Sequence, residues 1–228
     1  MIDFFRNLLY WLVVFLFRCF TRKRQVSRQE GAHPVQPAVY IVHHQNLRGP
    51  ILSVTWFDLR LRVWVLSVFC DRQACFRQYY DYTFTERFGI WRPLAAVLAW
   101  LASFVISALM WIIRAIPVYR ASRDILQTFH RSVAALAAGE NILICPDVEY
   151  TDTSAQMGQM YEGFLQLERF YYRETGQHVA FIPLHIPAKQ QEIRVGEAIY
   201  FQTDNFRQER SEVLERLEAE LARLEAAG

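Results

Sequence analysis

Twenty consecutive residues, Leu94 to Ile113, carry no charge and are framed by Arg92 and Arg114. By length and hydropathy such a run can cross a bilayer. What lies on either side of it constrains the fold more than the run itself. Short apolar runs end in polar residues both before it, at His43-His44-Gln45-Asn46, and after it, at Asp147 and at His185. A crossing helix would put these groups in opposite compartments, yet they make chemical sense only together. The run is therefore expected to form a long helix, or a hairpin bent near Ser103 and Ser107, that lies against or dips into one leaflet. A buried core helix is the competing reading, because recurrent Ala and Ser allow close helix packing.

A second apolar stretch, Phe4 to Phe20, is broken only by Arg6, Asn7 and Arg18 and is followed by Arg22-Lys23-Arg24 and Arg28. Its residues would span about 25 Å as a helix, which suits a short span or an embedded anchor. It lacks the basic leader and small-residue site of a cleaved signal. The basic flank marks that side as cytoplasmic. The expected organisation is an anchor helix with its flank over 1–29, then an α/β domain over 30–228 with a hydrophobic membrane-facing insert at about 90–116.

Composition narrows the classes further. With 53% apolar and 15% aromatic residues the chain is not disordered. With only two stretches near bilayer length, it is not a multi-pass transporter. The formal net charge of +2 hides an asymmetry: residues 1–131 carry +10 and residues 132–228 carry −8. Twenty-three of the 25 basic residues are Arg, the exceptions being Lys23 and Lys189. An Arg-rich, apolar first half points to anionic headgroups or phosphate. Cys19, Cys70, Cys75 and Cys145 form no ligand-spaced pair, so they read as small hydrophobes in a reducing compartment and no metal site is expected.

From residue 30 onward strand and helix signals alternate, which predicts a mixed central sheet flanked by helices. A Gly31–Pro37 linker precedes a strand over 38–42. Residues 62–67 read as a second strand or a buried helix end; further strands are expected over 141–145, 179–182, 192–195 and 198–201, and helices over 124–138, 161–175 and 207–226. In the last helix Val213, Leu214, Leu217, Leu221 and Leu224 share one face. Strand ends thus present His43-His44, Asp147 with Glu149, and His185, while Ile116-Pro117-Val118-Tyr119-Arg120 is a short extended element ending in Arg. A strand-end His, an Arg on another loop and an apolar surface suit proton abstraction from a hydroxyl on an anionic lipid. His130, on a helix, is given no role, and His185 reads as a satisfied loop histidine.

The order and spacing of these blocks resemble the lysophosphatidate acyltransferase family of glycerophospholipid acyltransferases over most of the chain. His43-His44-Gln45-Asn46-Leu47-Arg48-Gly49 is similar to that family's Asn-His-x4-Asp. Ile116-Pro117-Val118-Tyr119-Arg120 resembles its short strand with a terminal Arg. Cys145-Pro146-Asp147-Val148-Glu149-Tyr150 resembles its Phe-Pro-Glu-Gly-Thr-Arg. Tyr161-Glu162-Gly163-Phe164, Ile182-Pro183-Leu184 and Val195-Gly196-Glu197-Ala198-Ile199 resemble three later blocks. The resemblance implies an α/β acyltransferase fold and transfer of a fatty acyl group from acyl-CoA or acyl-carrier protein to a lysophospholipid or glycerolipid hydroxyl, with no cofactor or metal.

The resemblance makes His44 the general base and Arg120 the contact for acceptor phosphate, with His43 and Glu149 beside the acceptor. His43 stands at the family's Asn position and is expected to hydrogen-bond its loop. The chain departs from the pattern at Gly49, where the carboxylate that would orient the base is absent, and in the third block, which keeps Pro146 and a shortened acid at Asp147. Asn46 can fix a tautomer but cannot offset an imidazolium, so Asp147 or Glu149 is expected to approach from the neighbouring strand end. The same departures support an alternative: a catalytically degenerate acyltransferase fold that holds a lipid or a partner enzyme at the membrane. A hydrolase or metal enzyme using His43, His44, Asp147 and His185 fits no metal-ligand spacing. Arg usage and the absence of eukaryotic sorting signals point to a bacterial inner membrane with the α/β domain cytoplasmic, and no nucleic-acid surface is expected.

Overall fold

The computed structural model describes residues 2–28, 34–120, 122–149, 154 and 157–227. In chain order its elements are α1 (Ile2–Phe20), β1 (Gln25–Ser27), β2 (Ala38–Val42), α2 (Arg48–Trp56), β3 (Leu61–Leu66), α3 (Ser67–Cys70) and α4 (Arg72–Arg77). A π-helical segment (Gln78–Arg87), α5 (Arg92–Ile112), β4 (Ile116–Val118), α6 (Ile125–Ala137) and β5 (Asn141–Ile144) come next. A 3-10 turn (Glu162–Leu165), α7 (Gln166–Thr175), β6 (Ala180–His185), β7 (Glu192–Val195) and α8 (Phe206–Ala226) complete the chain. Within the expected linker, residues 31–33 lie outside the described residues, as does Tyr150 of the third block.

Two compact units emerge, one of residues 11–62 and 129–228, the other of residues 1–10 and 63–128. In the first, β1, β7, β6, β2 and β5 form a mixed sheet in that order. β2 lies between β5 and β6 and is parallel to both, with Tyr40 opposite Leu143 and Ile182. β6 and β7 are antiparallel, with His185 opposite Arg194, and β1 runs parallel to β7. The sequence explains the arrangement: Ala-Val-Tyr-Ile-Val and Asn-Ile-Leu-Ile are continuous apolar runs, and every residue of β2, β5 and β6 is buried. Helices close the faces, α6 with Phe129, Val133 and Leu136 and α8 with Val213, Leu217, Leu221 and Leu224, all buried. The expected α/β class with a mixed sheet flanked by helices is what the chain adopts.

In the other unit β3 pairs in parallel with β4, Trp64 opposite Ile116. α5 is one unbroken helix of 21 residues, not a hairpin. The Ser103 hydroxyl donates to the Trp100 carbonyl at 2.9 Å and the Ser107 hydroxyl to Ser103 at 2.7 Å, so both satisfy themselves on the helix backbone. Its buried side is a line of small residues, Ala95, Ala99 and Ser103, which lets α4 and the π-helical segment approach closely. Its other side leaves Leu94, Val97, Trp100, Leu101, Phe104 and Val105 exposed. Among the described residues α5 is the one helix long and apolar enough to cross a membrane, by length and composition, and its most apolar 18-residue stretch is mostly unburied. The expected N-terminal helix forms as α1, burying Tyr10 and Val14 while Phe4, Leu8, Trp11, Phe15 and Phe20 stay exposed.

Local expectations differ from the structure in several places. The strand expected over 198–201 reduces to a single bridge between Ile199 and Phe181, because residues 196–202 contribute one rung and then turn away to α8. The helix expected over 161–175 starts with a 3-10 turn and ends at Gly176, whose φ of 69° closes it in the left-handed form.

Truncating Leu217, which has no exposed surface, should cost about 2–5 kcal/mol of unfolding free energy. Val97→Ala, on the exposed side of α5, should stay within about 0.5 kcal/mol. Denaturant unfolding of the two variants in the same detergent checks the contrast.

Candidate functional site

Because β2, β5 and β6 are parallel, their C-terminal ends open on one edge of the sheet, the usual place for a site in an α/β fold. That edge brings together His43 and His44 after β2, Asp147 three residues past the end of β5, and His185 at the end of β6. The chain leaves β2 through a tight left-handed turn in which Gln45, Asn46 and Leu47 have φ of 46°, 50° and 75°. Three successive non-glycine residues in that region are unusual and are held by their surroundings. The turn returns so sharply that Gly49 N–H donates to the His44 carbonyl at 3.1 Å. A Cβ at Gly49 would sit 1.9 Å from the His43 carbonyl oxygen. Glycine is required there, and no carboxylate can be carried at that position while the turn keeps this form.

The charge comes from the neighbouring strand. Asp147 is buried at 3% exposure and bridges Met160 in an antiparallel step. One carboxylate oxygen is bonded to His43 Nδ1, and the other accepts the His44 backbone N–H at 3.0 Å. A carboxylate oxygen bonded to Nδ1 favours the tautomer with the proton on Nδ1, and Nε2 of the same ring is buried. His44 has the opposite tautomer. Its Nδ1 accepts the Leu47 backbone N–H at 3.3 Å, which leaves the proton of the neutral ring on Nε2. Burial lowers the His44 pKa, the Asp147 charge opposes that shift and His43 adds to it.

His185 is buried and its pKa is pushed down to about 4, chiefly by burial and then by Arg194 and Arg48, with Glu192 opposing and His43 contributing. It is a neutral wall of the site at physiological pH. The Cys145 thiol, between β5 and Asp147, is pushed well up by burial and by the Asp147 carboxylate, which disfavours a thiolate. A cleft of about 340 Å³ adjoins the edge, lined by Met157, Met160, Leu221, Ala222, Glu218 and Glu225. Glu225 accepts the Met157 N–H at 3.3 Å, and burial raises its pKa while His43 pulls it back.

The residues singled out in the sequence separate clearly. His43, His44 and Asp147 come together. Asn46 is exposed in the turn, and the contacts that fix the two tautomers come from Asp147 and Leu47 instead. Glu149 is exposed two residues beyond Asp147, so of the two acids expected to approach the histidines it is Asp147 that does so. Arg120 is exposed just after β4 in the other unit. His130 is exposed on α6, its ring edge-on to Phe170. Sequence reasoning passed over Arg24 and Arg48, whose guanidinium groups reach the same edge from the start of β1 and the start of α2. Their signal was the Arg-rich first half, which did not single them out. Among the described residues no group of His, Cys, Asp or Glu could hold a metal ion. Compared with family models, curated proteins and solved structures, the chain has no match.

Two predictions follow from this geometry. Gly49→Ala should destabilise the protein by about 3 kcal/mol or more, since its Cβ would meet backbone rather than a yielding side chain; a thermal or denaturant melt reads it. The second concerns pH. The folded His185 pKa of about 4 lies below the ordinary value of 6.5, so the unfolded chain takes up a proton first. Stability is unaffected above about pH 6.5 and falls as pH drops from there towards 4, by up to about 3 kcal/mol. His185→Gln should flatten that part of the stability curve relative to wild type.

Proposed function

We propose that this chain is a membrane-associated O-acyltransferase that moves a fatty acyl group from a thioester donor, acyl-CoA or acyl-carrier protein, to the hydroxyl of a lysophospholipid or related glycerolipid. The observation that carries the reading is the buried His43–Asp147 pair at the open edge of the sheet. Its polarity is that of a general base: the carboxylate fixes Nδ1–H, and the Nε2 lone pair accepts a proton. In the reaction His43 Nε2 removes the acceptor hydroxyl proton as the oxygen attacks the thioester carbonyl. The tetrahedral intermediate then collapses, the C–S bond breaks and the proton passes to the departing thiolate. Asp147 stabilises the imidazolium between the two steps.

The base is thus assigned to His43, one position before the histidine that the family pattern points to. Neutral His44 already holds its proton on Nε2 and its Nδ1 accepts a backbone N–H, so it is a donor, suited to the developing oxyanion. Arg120 remains the acceptor-phosphate contact that the resemblance implies. Membrane association is supported by the exposed apolar sides of α1 and α5 and by the basic flank after α1. The basic flank supports a cytoplasmic side for the α/β domain, and the inner membrane of a bacterium is the proposed setting.

Purified protein in detergent, supplied with labelled acyl-CoA or acyl-carrier protein and a panel of lysophospholipids, tests the reading. His43→Ala should lower turnover by about 10²–10⁴-fold, His44→Ala should lower it less, and both should co-sediment with vesicles as wild type does. Equal turnover in wild type and His43→Ala would remove His43 from the chemistry. Lipid or acyl-CoA binding without product from any donor would favour the non-catalytic, lipid-holding alternative.

A further inference from the structure

Two arginines at the site edge make no ion pair with a carboxylate among the described residues. Arg24, the residue before β1, donates from Nη1 to the carbonyls of Pro187, Gln190 and Glu192 at 3.3, 2.6 and 3.3 Å. Arg48, the first residue of α2, donates from Nη1 to Gln45 Oε1 at 2.6 Å and to the Ile186 carbonyl at 3.1 Å, and from Nη2 to the Pro187 carbonyl at 2.6 Å. Both therefore converge on the Pro187 carbonyl in the loop that follows His185. Every one of these partners is neutral. Elsewhere in the same unit buried or half-buried arginines face carboxylates: Arg28 with Asp58, Arg62 with Glu140, Arg194 with Glu192.

Two guanidinium charges this close repel unless an anion or solvent offsets them. Burial lowers the pKa of both, and Arg48 lowers that of Arg24 further. Arg24 Nε is buried without a hydrogen-bond partner. The nearby Glu192 carboxylate is taken up by Arg194, His185 is neutral, and Lys189 stands in the same loop. Arg22 and Lys23 immediately precede Arg24. Both side chains keep N–H groups that the loop carbonyls do not use, in the planar fork that matches a phosphate.

We propose that Arg24 and Arg48 form a phosphate-binding cradle at the sheet edge that carries the His43–Asp147 pair. Its ligand is a phosphate ester, and two sources share that chemistry: the headgroup of a glycerolipid, or the phosphopantetheine of a thioester donor. The cradle is distinct from Arg120, which belongs to the other unit. It goes beyond the acyl-transfer reading, because a phosphate ester would be held here whether or not transfer follows.

The full chain in detergent is titrated calorimetrically with inorganic phosphate, glycerol 3-phosphate and phosphopantetheine, in wild type, R24Q, R48Q and R24K. Saturable binding by wild type, weakened about tenfold or more in R24Q and R48Q and largely kept in R24K, is the expected result. A preference for glycerol 3-phosphate identifies a lipid headgroup, and a preference for phosphopantetheine identifies the donor. The arginines also clamp the loop, so the Gln variants are melted in parallel. If they do not fold, the wild-type melting temperature must rise with added phosphate and that of R24K must rise nearly as far. No saturable binding and no thermal shift in wild type, or equal affinity in R24Q and R48Q, would overturn the cradle. The readout needs no turnover, so this failure is separable from failure of acyl transfer.

Discussion

Asp147 gives one carboxylate oxygen to the ring of His43 and the other to the backbone N–H of His44, and the geometry of the whole edge hangs on that division. The bond to the ring sets the tautomer of His43. The bond to the backbone pins His44, the residue that enters the left-handed turn, and that turn delivers Arg48 to the loop after β6. Burying a carboxylate costs far less when two donors bond it, and removing either donor leaves part of the desolvation cost uncovered. Both histidine positions are therefore fixed by a group more than 100 residues away in sequence, at |i−j| of 104 and 103.

Gly49 looks different in this light. As a sequence it reads as a missing side chain in Asn-His-x4-Asp, and the natural inference is a weakened base. In the fold it is the contact point between the returning turn and the His43 carbonyl, where a Cβ has no room. The negative charge has not been lost from the edge. It comes from the next strand, and it engages the histidine before the expected one. A side chain at position 49 is incompatible with a turn that folds back this tightly on the His43 carbonyl. Spacing along the chain is a weak guide to such a site because the sheet, not the sequence, sets which side chains meet.

The parts legible in the sequence were those written in local pattern. Continuous apolar runs announced β2, β5 and β6, and their polar successors announced the edge where His43, His44, Asp147 and His185 gather. The apolar stripe of α8 and the helical nature of residues 94–113 were equally plain. What could not be read has a physical reason in each case. α2 begins Arg-Gly-Pro with no side-chain cap on Leu47, so its start looks like a loop, and tertiary packing supplies what propensity does not. β1 has only three residues, Gln-Val-Ser, and exists because β7 offers it a partner. The pairing of Asp147 with His43 rather than with His44 depends on a turn built from three positive-φ residues, none of which is glycine.

The charge asymmetry of the sequence also acquires a location. The excess of Arg in the first half is not spread evenly over solvated faces. Arg18 donates to the Thr55 carbonyl and lies over Trp56 at 5.1 Å, which ties the end of the exposed apolar helix α1 to α2. Six residues later Arg24 is at the loop after β6. Arg24 and its basic neighbours Arg22 and Lys23 thus belong to the short segment that links the exposed apolar helix α1 to the first strand of the sheet.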